Sequence, residues 1–207
     1  MSQVQSLLLF SIGDDAPAYF RILPGAINSV TSLRATTEES GVSDVFLVAD
    51  TGFYSSKNVK DLDGMGIFFI VPLKRNSKII DYSMEQGRHF MFQDHPIFYS
   101  RYQSNGRPVF PYLNYRLKAE EEKDYLRRHE KGFAAFRNIS GRMGTISVIN
   151  HLKASGEIVY QILKSRDGIE QCYDIFKNTI HADRTYMRDD YQLQEWMFVN
   201  FIALILH

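Results

Sequence analysis

The sequence GEIVYQILKSRDGIEQCYDIFKNTI, residues 156–180, predicts the helix around which the rest of the chain is organised. At about 100° per residue, six of its apolar side chains fall in one narrow arc, which is typical of a helix that packs one face against a core. Arg166, Glu170 and Lys177 fall in a second arc beside that stripe, at spacings of four and seven residues that approximate one and two helical turns. We therefore expect the Glu170 carboxylate to lie half-buried between two cations at the wall of a site. The predicted core-facing stripe comprises Ile158, Ile162, Ile169, Tyr173, Phe176 and Ile180.

The same charges also have a simpler interpretation as surface groups. Arg166 and Glu170 are four residues apart, and an exposed pair at this spacing contributes at most about 0.5 kcal/mol to stability. Gly168 lies inside the predicted helix at a cost of about 1 kcal/mol relative to alanine. The helix pattern alone does not decide between a solvated ion pair and the wall of a site.

Length and composition limit the kinds of protein that the chain can be. Its 207 residues suit one large domain or one domain with an insertion. The formal net charge is zero, which indicates no particular partner and counts mildly against a full-length nucleic-acid enzyme. The single cysteine, Cys172, excludes an intrachain disulfide and a cysteine-based zinc site. No signal peptide is visible, and the apolar run at residues 196–206 is too short to span a bilayer, so we expect a cytoplasmic protein without a membrane partner.

The first 73 residues predict the order β-β-α-β-α-β. Apolar runs at residues 4–12 and 18–23 are separated by the turn signal GDDAP, which predicts a hairpin. A helix is predicted at residues 27–39. A shorter helix is predicted at residues 57–62, with Ser55 or Ser56 as its N-cap.

Two apolar strands in this part of the chain end in charged residues. Residues 45–49 run straight into Asp50, which is the pattern of a central strand, buried on both faces, that delivers a carboxylate at its C-terminal end. Residues 67–73 form a second apolar strand, followed at once by Lys74 and Arg75. Because α/β sheets place their sites at C-terminal strand ends, we expect these charged residues to emerge at one edge of the sheet.

The character of the sequence changes after residue 81, where aromatic and polar residues alternate. Asn105-Gly106 between two such runs predicts a hairpin, and Pro108 and Pro111 predict that its second strand lies at an edge. A solvated helix is predicted at residues 117–130, and a short strand follows residue 141.

These patterns predict an α/β protein in three parts. Residues 1–81 are the first part of the core, residues 82–149 are a β-rich insertion, and residues 150–207 are the C-terminal helices of the core. The last of these helices, at residues 193–206, is apolar enough to be part of the core.

Asp50 and Glu170 have the chemistry of ligands for a hard divalent cation. Mg²⁺ takes few carboxylates and keeps water or phosphate oxygens in its other positions. Two such ions can clamp the attacking and leaving oxygens of a phosphodiester, so the pair favours a metal-dependent nuclease. The alternative for Asp50 is an ordinary turn after a strand, in which its carboxylate bonds the backbone.

The basic residues suit a partner that carries phosphate. Arg166 offers a bidentate fork and Lys177 a point charge, and both flank the predicted carboxylate ligand. Lys74 and Arg75 would extend a track along a DNA backbone. The alternative for Lys74 and Arg75 is a solvated strand exit.

Three blocks of the sequence resemble a known family. The segment VADTGFYS at residues 48–55 resembles the D-x-G-[FY]-x-S block around the second catalytic Asp of bacterial and archaeal DDE insertion-sequence transposases. Arg166, Glu170 and Lys177 match the last three residues of that group's Tyr-Arg-Glu-Lys signature, whereas Leu163 stands where the family has Tyr. The segment GIFFIVPLKRNS at residues 66–77 is similar to the family's last-strand segment, and the resemblance extends over residues 6–206.

The resemblance implies an RNase H-like core interrupted by a β-rich insertion. It implies Asp50 and Glu170 as catalytic metal ligands for a site of two Mg²⁺ or Mn²⁺ ions, and it implies DNA as the partner, bound by Arg166, Lys177, Lys74 and Arg75. The implied reaction is hydrolysis at insertion-sequence ends, followed by strand transfer from the freed 3′-hydroxyl. The resemblance also suggests a homodimer on DNA.

The family's first catalytic Asp has no counterpart among the predicted strands. Residues 4–12 and 18–23 resemble the second and third strands of the core, so the first strand is expected upstream of Met1. Asp14 and Asp15 are poor substitutes, because their turn points to the opposite end of the sheet from Asp50. We therefore expect a truncated transposase. There are two alternatives. One is a non-catalytic protein that binds DNA or inhibits full-length transposase. The other is a different RNase H-like nuclease.

Overall fold

The computed structural model describes residues 4–11, 13–14, 16–24, 30–41, 46–49, 51–132, 140–179 and 189–206. They divide between two compact units, residues 1–44 with 162–207 and residues 45–161. The strands are β1 (Val4–Ser11), β2 (Ala16–Pro24), β3 (Phe46–Val48), β4 (Phe68–Leu73), β5 (Arg88–Phe92), β6 (His95–Tyr99), β7 (Tyr102–Ser104), β8 (Arg107–Asn114) and β9 (Thr145–Asn150). The α-helices are α1 (Val30–Ser40), α2 (Ser56–Gly64), α3 (Tyr115–Glu130), α4 (Gly156–Lys164), α5 (Arg166–Asp174) and α6 (Asp190–Leu206). Within these described residues, no helix combines the length and apolarity needed to cross a bilayer.

The first unit begins with the predicted hairpin. β1 and β2 pair antiparallel from Val4 opposite Pro24 to Ser11 opposite Ala16, which confirms the prediction from the two apolar runs. At the turn, the Ser11 hydroxyl donates to the Asp14 carboxylate at 2.6 Å, as expected for an Asp that stabilises a tight turn. The predicted helix that follows is confirmed as α1.

The helices of this unit pack on the apolar face of the hairpin. The rings of Phe20 in β2 and Phe201 in α6 lie 4.9 Å apart. The Tyr173 hydroxyl in α5 is hydrogen-bonded to the Leu8 backbone in β1, and burial raises the pKa of that hydroxyl. These contacts surround a small apolar cavity of about 20 Å³. α5 therefore packs against the hairpin.

The predicted helix at residues 156–180 is interrupted, which corrects the prediction of one continuous helix. α4 ends at Lys164, and α5 begins at Arg166 and continues into a π-helical turn, Ile175–Thr179. At the interruption, the Ser165 hydroxyl donates to the Ile162 carbonyl at 2.7 Å. A serine that bonds its own backbone competes with the helical hydrogen bonds, and nearby Gly168 adds little helix propensity.

The interruption also changes which face is buried. In α4, Val159, Tyr160 and Leu163 are buried, whereas Ile158 of the predicted stripe is 47% exposed. Further along, Tyr173 of the stripe faces the hairpin as expected. Ile180 lies outside the described residues.

The last helix is confirmed, although only one face of it is buried. Met197, Phe201 and Leu204 of α6 are buried, as predicted for a core helix. Phe198 and Val199 on the opposite face are 56% and 65% exposed. Apolar composition therefore predicted the helix correctly but not the extent of its burial.

The second unit is built on a mixed seven-stranded sheet with strand order β3-β4-β9-β8-β6-β5, and β7 pairs with β8. β3 and β4 are parallel and joined through α2, whereas the other pairs are antiparallel. Phe69 to Leu73 are all buried, which confirms β4 as a fully apolar strand. This mixed α/β arrangement is compatible with the RNase H-like core that the resemblance implies.

β3 differs from the central strand that the sequence pattern predicts. Among the described strands it lies at one end of the sheet, paired with β4, and its three side chains are half-buried. An apolar run shows that a strand avoids water, but it does not show how many strands flank it.

β8 is an interior strand, so the prediction that Pro108 and Pro111 confine it to an edge is wrong. It pairs with β9 on one side and with β6 and β7 on the other. The Pro111 carbonyl accepts from the Ser100 backbone N–H at 3.3 Å, so the position of the missing Pro111 N–H faces the interruption between β6 and β7. The hairpin at Asn105-Gly106 is confirmed, with φ angles of 52° and 75° that suit a type I′ turn.

The N-terminus of α4 is seated on aromatic side chains of this sheet. The Tyr112 hydroxyl in β8 donates to the Gly156 carbonyl at 2.7 Å, and burial raises the pKa of that hydroxyl, so it stays protonated as a donor. A Cβ atom at Gly156 would collide with the Tyr99 ring. That ring packs against Phe90, Phe110 and Tyr112, which leave it no room to move.

We predict that Gly156→Ala lowers the free energy of unfolding by about 1–3 kcal/mol, because it overpacks the seat of α4. Gly64→Ala is the matched control. A Cβ there meets nothing within 4 Å, and alanine is the better helix former by about 1 kcal/mol. Urea unfolding of both variants measures the difference. Equal stability of the two variants would show that the Tyr99 ring can yield.

Candidate functional site

The turn after β3 carries the first predicted site residue. Asp50 itself lies outside the described residues, but both of its neighbours are described. The Ala49 backbone N–H donates to the Ile70 carbonyl at 3.1 Å, which continues the pairing of β3 with β4. Thr51–Phe53 form a single 3₁₀ turn, after which α2 begins. The turn is therefore anchored to the sheet on one side and to a helix on the other.

The start of α2 fixes the far side of this turn. The Ser55 side chain accepts from the Asn58 backbone N–H at 3.0 Å, which confirms the predicted N-cap and assigns it to Ser55. The Asn58 side-chain amide donates to the Phe53 carbonyl at 2.7 Å. Val59 and Leu62 are buried, so the helix that makes these contacts is itself packed.

The second predicted carboxylate is on α5 and is more exposed than expected. Arg166 donates to Glu170 Oε1 from Nε at 2.9 Å and from Nη2 at 2.5 Å. The Glu170 side chain is 60% exposed and the Arg166 side chain 30% exposed, so the carboxylate is not half-buried as expected. Lys177 lies in the π-helical turn, where the wider helical repeat changes the two-turn spacing assumed from the sequence.

The basic pair after β4 divides into two environments. Lys74 is exposed. Arg75 forms a bidentate ion pair with Glu121 of α3, with nitrogen–oxygen distances of 2.9 and 2.6 Å, and its Nε donates to the Thr145 carbonyl at 3.0 Å. Glu121 also accepts from the Gly144 backbone N–H at 2.8 Å. The Arg75 fork therefore ties the end of β4 to α3 and to the start of β9.

Sequence patterns missed two charged residues that organise this unit. Glu121 belongs to the run Glu120–Glu122 in a helix predicted to be solvated, and its partner Arg75 is 46 residues away. Asp63 at the end of α2 forms an ion pair with Arg107 of β8, and its other oxygen lies 3.5 Å from His151 Nδ1. The sequence offers no local signal for either contact, because the partners meet only through the sheet.

The described residues contain no group of three or more His, Cys, Asp or Glu side chains that could hold a metal ion. Of the two predicted carboxylates, only Glu170 belongs to the described part. The ligand chemistry suits Mg²⁺ or Mn²⁺, because both predicted ligands are carboxylates.

Comparison with protein families matches residues 17–206 to the family described as Transposase DDE domain. The match covers the segment with Asp50 as well as α5 with Glu170. The comparison with curated proteins gave no significant match.

We predict that Glu170→Gln changes the free energy of unfolding by no more than about 0.5 kcal/mol, because an exposed i,i+4 ion pair contributes little. Asp167→Asn is the matched control, since Asp167 is an exposed carboxylate of the same helix, 3.4 Å from Lys164 Nζ. Thermal unfolding of both variants measures the change. A loss of more than about 2 kcal/mol in Glu170→Gln alone would show instead that the Glu170 ion pair is buried.

Proposed function

The chain belongs to the transposase DDE domain family, and from this we propose that it takes part in metal-dependent cleavage and joining of DNA at insertion-sequence ends. The observation that carries the proposal is the family match over residues 17–206, which includes both Asp50 and Glu170. The family implies DNA as the partner. A homodimer on DNA is part of the proposal.

Asp50 and Glu170 are the proposed catalytic residues and metal ligands. When bound, two Mg²⁺ or Mn²⁺ ions supply Lewis-acid stabilisation of the attacking and leaving oxygens of the phosphodiester. Arg166 orients the Glu170 carboxylate through its two hydrogen bonds to Oε1. The position of Asp50 at the end of an apolar strand supports its role, since strand ends in α/β sheets present ligands to a site.

The basic residues have different proposed roles. Lys177 and Lys74 are exposed, and their charges suit contacts to DNA phosphates. Arg166 is proposed to contact a phosphate as well as Glu170. Arg75 is proposed to act near the DNA backbone, but its ion pair with Glu121 supports a role in holding the Lys74 segment in place.

The proposal includes a third carboxylate, the family's first Asp, on a strand outside residues 1–207. In the described part of the chain, β3 pairs with β4 and leaves its other edge without a strand. Such an edge offers backbone donors and acceptors to an added strand. We propose that the strand with the family's first Asp would pair there.

We predict that the chain binds Mn²⁺ and that Asp50→Asn and Glu170→Gln each weaken binding by more than about tenfold, since even residues behind the ligands commonly have effects of that size. Asp167→Asn serves as the control with an unchanged affinity. Electron paramagnetic resonance of free Mn²⁺ measures the binding. Wild-type protein that binds Mn²⁺ no better than Asp50→Asn would favour the non-catalytic protein that binds DNA or inhibits transposase.

A second prediction concerns activity without the added strand. We expect the chain alone neither to nick nor to join a plasmid that carries the DNA flanking its gene, because the proposed third carboxylate is on the added strand. Addition of a polypeptide with the first strand and its Asp is expected to restore cleavage. The measurement is gel analysis of nicked and joined products with Mg²⁺. Activity of the chain alone that is lost in Glu170→Gln would contradict the need for the added strand.

A further inference from the structure

We propose that Asn58 is a positioning residue that holds the turn Thr51–Phe53, which directly follows the proposed ligand Asp50 in the sequence. This inference rests on the proposed function, in which Asp50 is a metal ligand. Asn58 is in the first turn of α2 and does not belong to the sequence block that identified Asp50.

Asn58 makes two contacts that connect the 3₁₀ turn to the start of α2. Its side-chain amide donates to the Phe53 carbonyl at 2.7 Å, five residues back along the chain. Its backbone N–H donates to the Ser55 hydroxyl at 3.0 Å. One residue thus bonds both the end of the 3₁₀ turn and the N-cap of the helix, so the turn cannot pivot about the helix start.

The side chain of Asn58 can do what the acid favoured at this helix position cannot. Three residues after a Ser N-cap, helices favour Glu or Gln, and an acid there also interacts well with the positive end of the helix dipole. A carboxylate cannot donate a hydrogen bond to the Phe53 carbonyl, whereas an Asn amide can. Asn58 therefore supplies a donor that the turn uses and that a Glu at this position would lack.

Described residues on both sides of Asp50 in the sequence are anchored. On one side, Ala49 is buried and its N–H donates to the Ile70 carbonyl of β4. On the other side, Phe53 is held by Asn58 on a helix whose residues Val59 and Leu62 are buried. Ala49 and Phe53 are therefore both held, and the amide of Asn58 holds the second of them.

The helix that carries Asn58 is also fixed at its opposite end. Asp63 in the last turn of α2 forms an ion pair with Arg107 at the start of β8. The Arg107 guanidinium lies over the Phe69 ring of β4 at 5.9 Å. α2 is therefore held to β8 through an arginine that itself packs on β4, and loss of the Asn58 amide is expected to release the turn without releasing the helix.

The test compares Asn58→Ala with Lys60→Ala, a change at an exposed position of the same helix. We expect Asn58→Ala to weaken Mn²⁺ binding about tenfold, as is typical when a residue behind a metal ligand is removed. Amide hydrogen exchange is expected to accelerate in peptides that cover residues 49–56 and to stay unchanged in β4 and β9. Lys60→Ala is expected to leave both measurements at the wild-type level.

Asn58→Asp separates the donor from the shape of the side chain. It keeps the size of the residue and favours the helix start, but it removes the donor to Phe53, so the turn is expected to exchange as fast as in Asn58→Ala. Exchange at the wild-type rate in Asn58→Asp would overturn the inference. Acceleration throughout the sheet in Asn58→Ala would also overturn it, because it would show a general structural role.

The Asp50→Asn variant distinguishes failure of this inference from failure of the proposed function. If Asp50→Asn weakens Mn²⁺ binding and Asn58→Ala does not, the positioning role of Asn58 is overturned and the proposed function stands. If Asp50→Asn binds Mn²⁺ as well as wild type does, the proposed function fails, and this inference fails with it. Parallel weakening in both variants supports both.

Discussion

Burial of β4 is the constraint on which the second unit depends. Phe69 to Leu73 are buried, so their backbone groups need hydrogen-bond partners within the protein. β3 pairs in parallel with Phe68 to Ile70, and β9 pairs antiparallel with Ile70 to Leu73. The first pairing positions the turn that carries Asp50. The second pairing joins β9, which lies far along the chain, to the same sheet. Through β9, the strands β8, β6 and β5 belong to one sheet with β4.

The charged residues of this unit act as ties between elements that the sheet brings together. Arg75 and Glu121 connect the end of β4 to α3, and Asp63 and Arg107 connect α2 to β8. Each pair joins a segment next to the Asp50 turn or the basic strand exit to a strand or helix beyond residue 81. In a chain with no net charge, these opposite charges are used for internal connections as well as for contact with solvent.

Local signals predicted the local structure well. Alternation of apolar runs and turns predicted the β1–β2 hairpin, Asn105-Gly106 predicted the turn before β8, and an unbroken apolar run predicted β4. The errors concern contacts between distant residues or competition within one turn. The prediction that Pro111 lies at an edge is wrong because Pro111 faces the interruption between β6 and β7. The sequence around Pro111 gives no signal of that interruption. The helix break at Ser165 depends on one hydroxyl bonding the backbone, which helical periodicity does not register.

The candidate site follows the same division between local and distant information. Asp50, Glu170, Arg166 and Lys177 are predicted site residues that rest on their spacing and on the resemblance, and the family match agrees with the resemblance. The internal pairing of Arg75 could not be foreseen, because Glu121 is one of three consecutive glutamates and only the folded sheet selects it. The sequence likewise gives no signal of the proposed role of Asn58, since an Asn near a helix start has many ordinary explanations.

The contacts that support the first turn of α4 limit how this sequence can change in evolution. The helix that leads toward Glu170 begins at Gly156, and its first turn rests on Tyr99 of β6 and Tyr112 of β8. A deletion that removed the aromatic strands would take away the support of that helix, although no residue of the strands is proposed to do chemistry. The segment at residues 82–149 is therefore not a detachable module. A chain that keeps the helix is therefore expected to keep β6 and β8, the strands that carry its two supporting tyrosines.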